Sequence, residues 1–297
     1  MTVLEGFFQG VLQGLTEFLP VSSDGHLSLF QHFFSLNGEN ALFFTVMLHV
    51  GTLIAVFIAF WKDIWAMVAE FFKAIGDIFK GRFKYSESNE PRKGMIMIII
   101  SLVPLLGFYL IKDWFTALSE DSDIIVEGVC FLFTGTLLFL ADKCVKGKKT
   151  AVDMKPREAL RIGFFQGFAA LPGVSRSGST IAVGLLSGFS KEFMVKFSFI
   201  MGIPAIIAAS GMELLDAIKE GIEIDMLPLA VGVIASAVVG LAAIKLISWL
   251  VKTDRFGIFA YYTLTLGVIV LILGAIEYFT GSTIPVLITN LLNQGVR

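Results

Sequence analysis

Two short stretches of this chain carry residues that could do chemistry. The first reads Gln13-Gly-Leu-Thr-Glu17-Phe-Leu-Pro20-Val-Ser22-Ser23-Asp24-Gly25-His26; the second reads Leu171-Pro172-Gly173-Val-Ser175-Arg176-Ser177-Gly178-Ser179-Thr180. Together they bring a carboxylate, an imidazole, a guanidinium and several hydroxyls into an otherwise apolar sequence. The combination suits an anion, and phosphate in particular. Ser, Gly and Thr ahead of a new helix present N–H groups at its N-terminus, where the dipole favours negative charge. Ser175, Ser177, Gly178, Ser179 and Thr180 form such a cradle, and Arg176 adds a planar fork matched to phosphate oxygens. Gln13 and Glu17 are four apart and share one helix face. Glu17, with Gln13, could bind a divalent cation that neutralises phosphate charge and polarises a scissile bond. Ser23 and His26 are three apart. If a helix restarts there, both point into one space, as a hydroxyl nucleophile with a proton acceptor or as a phosphate ligand with a general acid.

Each residue also has a plainer reading. Ser-Gly-Ser-Thr after Pro-Gly is an ordinary helix cap, and a lone Glu in an apolar helix can be a structural hydrogen bonder. Asp24 reads as a cap or turn residue. His49 and Glu127 read as packing or interhelical hydrogen-bond residues, His32 as a residue near an interface, and Trp61, Trp65 and Trp114 as aromatic belts. Arg176, flanked by serines inside an apolar stretch, is the sharpest functional candidate.

The elements that must position these groups are membrane helices. Of the 297 residues, 56% are hydrophobic and only 16% charged, 29 are Phe, and mean hydropathy is +0.80. A soluble domain is typically about 45–50% apolar and about 25% charged. This balance excludes a soluble enzyme, a disordered chain and, with a net charge of −2, a nucleic-acid binder. Two cysteines, Cys130 and Cys144, cannot make a disulfide scaffold. The first apolar segment lacks a basic n-region and an obvious cleavage site, so it is expected to stay in the mature protein. Six stretches are long and apolar enough to span, at about 20 residues each: roughly 40–60, 94–112, 124–141, 193–213, 227–250 and 256–279. Two more, roughly 2–36 and 158–189, are broken at Pro20–Gly25 and Pro172–Gly178. Trp61–Lys80 mixes charge with aromatics, as an interfacial amphipathic helix does, and Gly81–Lys93 reads as a mobile loop.

Loop charge sets the orientation. Segments 61–93 and 142–161 have seven Lys/Arg each and 245–255 has three, whereas 112–123 and 213–225 have one each. Those last two hold Asp113, Glu120, Asp121, Asp123, Glu213, Asp216, Glu220, Glu223 and Asp225. The positive-inside rule makes the basic loops cytoplasmic and puts both termini outside, provided each broken stretch returns to the side it entered.

The broken stretches repeat each other. An offset of 153 carries Gly10, Gln13 and Gly14 onto Gly163, Gln166 and Gly167, Val21-Ser22 onto Val174-Ser175, Gly25 onto Gly178, and Phe44 onto Phe197. It also carries Thr52–Ala55 onto Ala205–Ala208. Three expected spans lie between the repeats, an odd number, so the second is inverted. Inverted repeats with broken helices place their site near the midplane, where the breaks meet, and irregular backbone at that depth must be buried or line a wet cavity. The two breaks are therefore expected to face each other across one cavity. The fold class is all-α polytopic, with six transmembrane helices and two re-entrant helical hairpins in one integral domain over 1–297.

The run Thr16–Ser23 with Gly25-His26, the Gln13-x-x-x-Glu17 spacing, and the run Leu171–Thr180 closely resemble the bacterial undecaprenyl-diphosphate phosphatase family, associated with bacitracin resistance. The likeness covers essentially the whole chain. It implies a divalent-metal-dependent membrane hydrolase that removes the terminal phosphate of undecaprenyl diphosphate and regenerates the monophosphate carrier for peptidoglycan and other cell-wall polymers. The implied cofactor is Mg2+ or Ca2+. The implied partners are the polyprenyl diphosphate and the bilayer, with bacitracin competing by sequestering the substrate. The family's functional Ser and His fall on Ser23 and His26, its Arg on Arg176, and its more demanding carboxylate on Glu17, with either Glu or Gln allowed at Gln13. One departure is visible: Asp24 stands where Thr is usual. The other large family of membrane lipid phosphatases requires a His after its Ser-Arg, and here the histidines are His26, His32 and His49, all before Arg176.

The competing class is transport, because inverted repeats with paired breaks also build secondary transporters and flippases. The residues leave Ser23 open as nucleophile or phosphate ligand. They also leave open the side of access and the oligomeric state, a homodimer included.

Overall fold

A computed structural model of the protein describes residues 2–34, 36, 41–112, 114–115, 124–144, 146–221 and 225–287. The acidic residues Asp113, Glu120, Asp121, Asp123 and Glu223 lie outside that set. The described residues include eleven α-helices: α1 (Val3–Phe18), α2 (Ser23–Phe33), α3 (Ala41–Ala59), α4 (Trp61–Phe79), α5 (Glu90–Leu110), α6 (Ile125–Lys143), α7 (Pro156–Gly167), α8 (Arg176–Leu186), α9 (Lys191–Glu220), α10 (Met226–Lys252) and α11 (Ile258–Thr280). Six of these, α3, α5, α6, α9, α10 and α11, are long and apolar enough to cross a membrane, matching the six stretches expected. Their ends follow local capping. Asn89 accepts from the N–H of Arg92 and starts α5 at Glu90, so the expected loop 81–93 is shorter than expected and holds a 3-10 turn at Tyr85–Glu87. Ser190 caps α9, and Gly221, in the left-handed region at φ 66°, ends it.

Helix α4 buries Ile64, Glu70 and Ala74 and exposes Trp61, Trp65, Phe72 and Phe79, the two-faced pattern of an interfacial helix. The basic segments gather at one end of the bundle. Lys196 of α9 pairs with Asp63 of α4 at 2.9 Å, and Lys191 pairs with Asp254, just past α10, at 2.9 Å. Lys146 meets the same Asp254 at 2.5 Å.

The repeat is visible in the helices: α2 and α8 are both 11 residues long and start 153 residues apart. Helix α1 packs along α10, with Gly6 against Pro228 and Gly10 against the backbone of Gly232. Helix α7 packs in the same way along α5, with Gly163 against the backbone of Ser101. Any Cβ at Gly10 or Gly163 would overlap a carbonyl of the neighbouring helix. The contacts at the hairpin ends are consistent with each hairpin leaving by the end at which it entered. Gly6 begins beside the start of α10, and α2 finishes with His32 on Glu277 near the end of α11. The second hairpin starts and finishes at the basic end, where Lys149 holds both Glu158 of α7 and the carbonyl of Ser187 after α8. That geometry is what a re-entrant hairpin requires. The core between the hairpins includes Phe18 edge-to-face on Phe199 at 5.1 Å.

Candidate active site

The two breaks touch directly. Ser22, at φ 70°, ends the first break and caps α2 by accepting from the N–H of Gly25; Ser175 caps α8 through the N–H of Gly178 in the same way. The Ser22 hydroxyl also accepts from the N–H of Gly173 in the other break at 3.1 Å. Gly25 lies against the backbone of Gly173, and Gly178 against the carbonyl of Pro20, so each glycine lets the opposite turn approach. Thr134 of α6 braces the second break, donating to the carbonyl of Gly173 at 2.9 Å and accepting from the N–H of Ser175 at 3.0 Å.

Glu17, at the end of α1, is the centre of the site. Its Oε1 meets Nη2 of Arg176 at 2.5 Å. Its Oε2 accepts from Ser23 Oγ at 2.7 Å and from Gln13 Nε2 at 3.1 Å. The pair is buried, with side-chain exposures of 4% for Glu17 and 16% for Arg176. An ion pair so enclosed needs hydrogen bonds on its remaining valences, and it has them: Arg176 Nη1 donates to the Ser198 carbonyl at 3.2 Å. Gly202, also on α9, leaves the space that the guanidinium fills.

Other expected members sit differently. The Ser23 hydroxyl goes to Glu17 and not to His26. His26 Nδ1 faces the Ser22 carbonyl at 2.6 Å, and its Nε2 faces Tyr262 Oη of α11 at 2.7 Å. The carbonyl only accepts, so Nδ1 carries a proton, and in the neutral ring Nε2 accepts from the Tyr262 hydroxyl. Thr180 Oγ1 turns inward to the Arg176 carbonyl at 2.8 Å and pairs with Ser198 Oγ at 2.7 Å. Ser177 donates to the Glu17 carbonyl at 3.4 Å. Ser179 is fully buried, with a hydroxyl that meets no partner among the described residues. The N–H groups of Arg176 and Ser177, in the first turn of α8, take no hydrogen bond among the described residues and are the donors left for an anion.

Five contributors were not singled out from the sequence as site residues: His49, Thr134, Ser198, Gly202 and Tyr262. They come from spans far along the chain, and no local spacing connects them to the breaks.

Gln13 Oε1 is buried without a partner among the described residues, beside the Glu17 carboxylate, and oxygen donors of this kind suit Mg2+ or Ca2+. No group of three His, Cys, Asp or Glu side chains among the described residues could hold a metal. Glu17 and Gln13 are the residues that could hold a cation, through the Glu17 carboxylate and Gln13 Oε1.

A model of the family described as "Bacitracin resistance protein BacA" matches residues 6–269. The chain is 41% identical over 275 residues to a protein of Alkaliphilus metalliredigens named undecaprenyl-diphosphatase, covering 92% of this chain and 98% of that one. It is 36% identical to one of the same name from Halothermothrix orenii, covering 93% and 100%. It is 38% identical to one from Methanobrevibacter smithii, covering 91% and 97%. With two polar breaks joined through Glu17 and Arg176, and a likeness spanning nearly its full length, the chain belongs to the bacitracin resistance protein BacA family.

Proposed function

We propose that the protein hydrolyses undecaprenyl diphosphate to undecaprenyl phosphate and inorganic phosphate, returning the lipid carrier to cell-wall polymer synthesis. One observation carries the reading: Glu17 is held at once by Arg176 from the opposite hairpin and by the Ser23 hydroxyl. Anion transport needs a site for the anion but no hydroxyl committed to a carboxylate, and the relatives bear an enzyme's name.

Ser23 supplies the attacking oxygen. Its proton is aimed at Glu17, which leaves the Oγ lone pairs for the terminal phosphorus. As the diphosphate enters, Arg176 exchanges Glu17 for phosphate oxygens, which it grips as a bidentate fork, and Glu17 takes the Ser23 proton. The bond from the terminal phosphorus to the bridging oxygen breaks, undecaprenyl phosphate leaves, and the phosphoryl group stays on Ser23. Water then attacks that phosphorus, the bond from phosphorus to Ser23 Oγ breaks as Glu17 returns its proton to that oxygen, and inorganic phosphate departs. His26 shuttles the water proton through Nε2, with Tyr262 as the first hydroxyl on its path. The N–H groups of Arg176 and Ser177 receive phosphate oxygens. A divalent cation held by Glu17 and Gln13 Oε1 would neutralise phosphate charge and polarise the bond being broken.

The basic end of the bundle is cytoplasmic, both termini are outside, and the polyprenyl tail lies between spans in the bilayer. Bacitracin sequesters the same lipid diphosphate, so faster turnover of that lipid confers resistance. The test is phosphate release from a polyprenyl diphosphate by the detergent-solubilised protein, alongside phosphate flux into proteoliposomes. Release without flux supports the hydrolase; flux without release overturns it.

A further inference from the structure

His49 lies in α3, one of the six helices apolar enough to span, where an ionisable side chain is costly and marks function by default. Its Nδ1 is tied to the Thr45 carbonyl one turn back at 3.0 Å, which aims Nε2 at the site. That Nε2 lies 3.5 Å from Glu17 Oε2 and 3.3 Å from Asp24 Oδ1. Carbonyl and carboxylates only accept, so the ring donates on both sides. One imidazole on α3 thus gathers a carboxylate from α1 and another from α2.

The repeat gives this contact its meaning. The offset of 153 carries Ser23 onto Arg176 and His49 onto Gly202. In the second repeat the basic group comes from the hairpin helix and crosses the bare backbone of Gly202 in the span. In the first repeat the assignment is exchanged: the hairpin helix carries Ser23 and the span supplies His49. Glu17 therefore receives one basic side chain from each repeat, Arg176 on Oε1 and His49 on Oε2. Asp24 is the second carboxylate on the same imidazole.

We infer that His49 is a positioning residue for the proposed hydrolysis: it holds Glu17 Oε2 in place against Ser23 and acts as one unit with Asp24, whose charge it offsets. The inference rests on the proposed hydrolase reading. Without His49, Glu17 loses one restraint on the oxygen that accepts from Ser23, and Asp24 is left as an unpaired carboxylate facing the diphosphate. Both consequences fall on turnover more than on binding of the long lipid.

The experiment measures kcat and KM for phosphate release from a polyprenyl diphosphate by the full-length protein in detergent. Wild type is compared with His49→Leu, His49→Gln, Asp24→Thr and the double variant His49→Leu/Asp24→Thr. His49→Leu is expected to lower kcat about thirtyfold with KM changed less than about threefold. His49→Gln, whose amide still donates, is expected to stay within about fivefold of wild type. Asp24→Thr is expected to restore about tenfold of the loss when combined with His49→Leu, a coupling that a merely structural role would not produce. Should His49→Leu fail to fold, His49→Asn, polar but too short to reach either carboxylate, takes its place in the cycle. Unchanged kcat in His49→Leu, or an Asp24→Thr effect identical in both backgrounds, overturns the inference. Absence of phosphate release by the wild type overturns the hydrolase reading instead.

Discussion

Gly202 lies beneath the guanidinium of Arg176, and a Cβ built there would overlap Nη1. The site's strongest cation therefore depends on a missing side chain one helix away. Gly202→Ala is expected to displace Arg176 from Glu17 and lower kcat about a hundredfold, the scale of one lost electrostatic contact. Ala is the better helix former by about 1 kcal/mol, so the thermal midpoint in detergent should not collapse with activity. Activity close to wild type in Gly202→Ala would mean that the guanidinium has a second productive position.

Arg176→Lys is the complementary change. An ammonium is a point charge, whereas the guanidinium meets Glu17 with Nη2 and the Ser198 carbonyl with Nη1. The variant is expected to fold and to lose most of its activity. Near-wild-type kcat/KM would reduce Arg176 to a source of charge.

The breaks were legible because Pro20, Pro172 and the flanking glycines interrupt apolar runs, and because one offset holds from Gly10 to Ala55, a stretch too long for shared composition. The helix face shared by Gln13 and Glu17 was legible from spacing, and the structure joins them at 3.1 Å. The separation of three between Ser23 and His26 suggested a pair that the structure does not form. Ser23 is the first residue of α2 and still faces the break, whereas the His26 ring folds back onto the Ser22 carbonyl and outward to Tyr262. The role of His49 was hidden for a different reason: it looks like any polar residue in a span until α1 and α2 are laid beside α3. Gly202 had no local signal, since its meaning lies in the length of Arg176.

Orientation is testable in a background lacking Cys130 and Cys144. The basic segments share one end of the bundle, tied through Asp63 and Asp254, and α11 ends at the other. Ser86→Cys should be shielded from an impermeant thiol reagent in intact cells, and Ser282→Cys should react. The reverse pattern would invert the assigned topology.

Acid should loosen α4 from α5. Glu70 is held down to about 2 from its usual 4.5, chiefly by the hydrogen bond from Lys73 within α4 and then by that from Arg92, the one that reaches across from α5. A depressed carboxylate contributes stability that is complete above pH 4.5 and is lost as pH falls from there toward 2. Trp65 fluorescence should report this loosening across that window. Arg92→Gln is expected to lower stability at neutral pH and flatten the acid dependence; an unaltered acid profile would remove the Arg92–Glu70 contact from the packing of α4.

The central claim is that the charge of Glu17, shared between Arg176 and Ser23, drives phosphoryl transfer from a polyprenyl diphosphate. The most direct measurement is phosphate release by Glu17→Gln beside wild type, each titrated with Mg2+ and with Ca2+. The amide preserves size and a hydrogen bond to Ser23 but removes the negative charge. The account requires a fall of about a hundredfold, equivalent to about 2.7 kcal/mol of transition-state stabilisation, with the divalent requirement moved to higher concentration. Full activity in Glu17→Gln with an unchanged divalent dependence would contradict it.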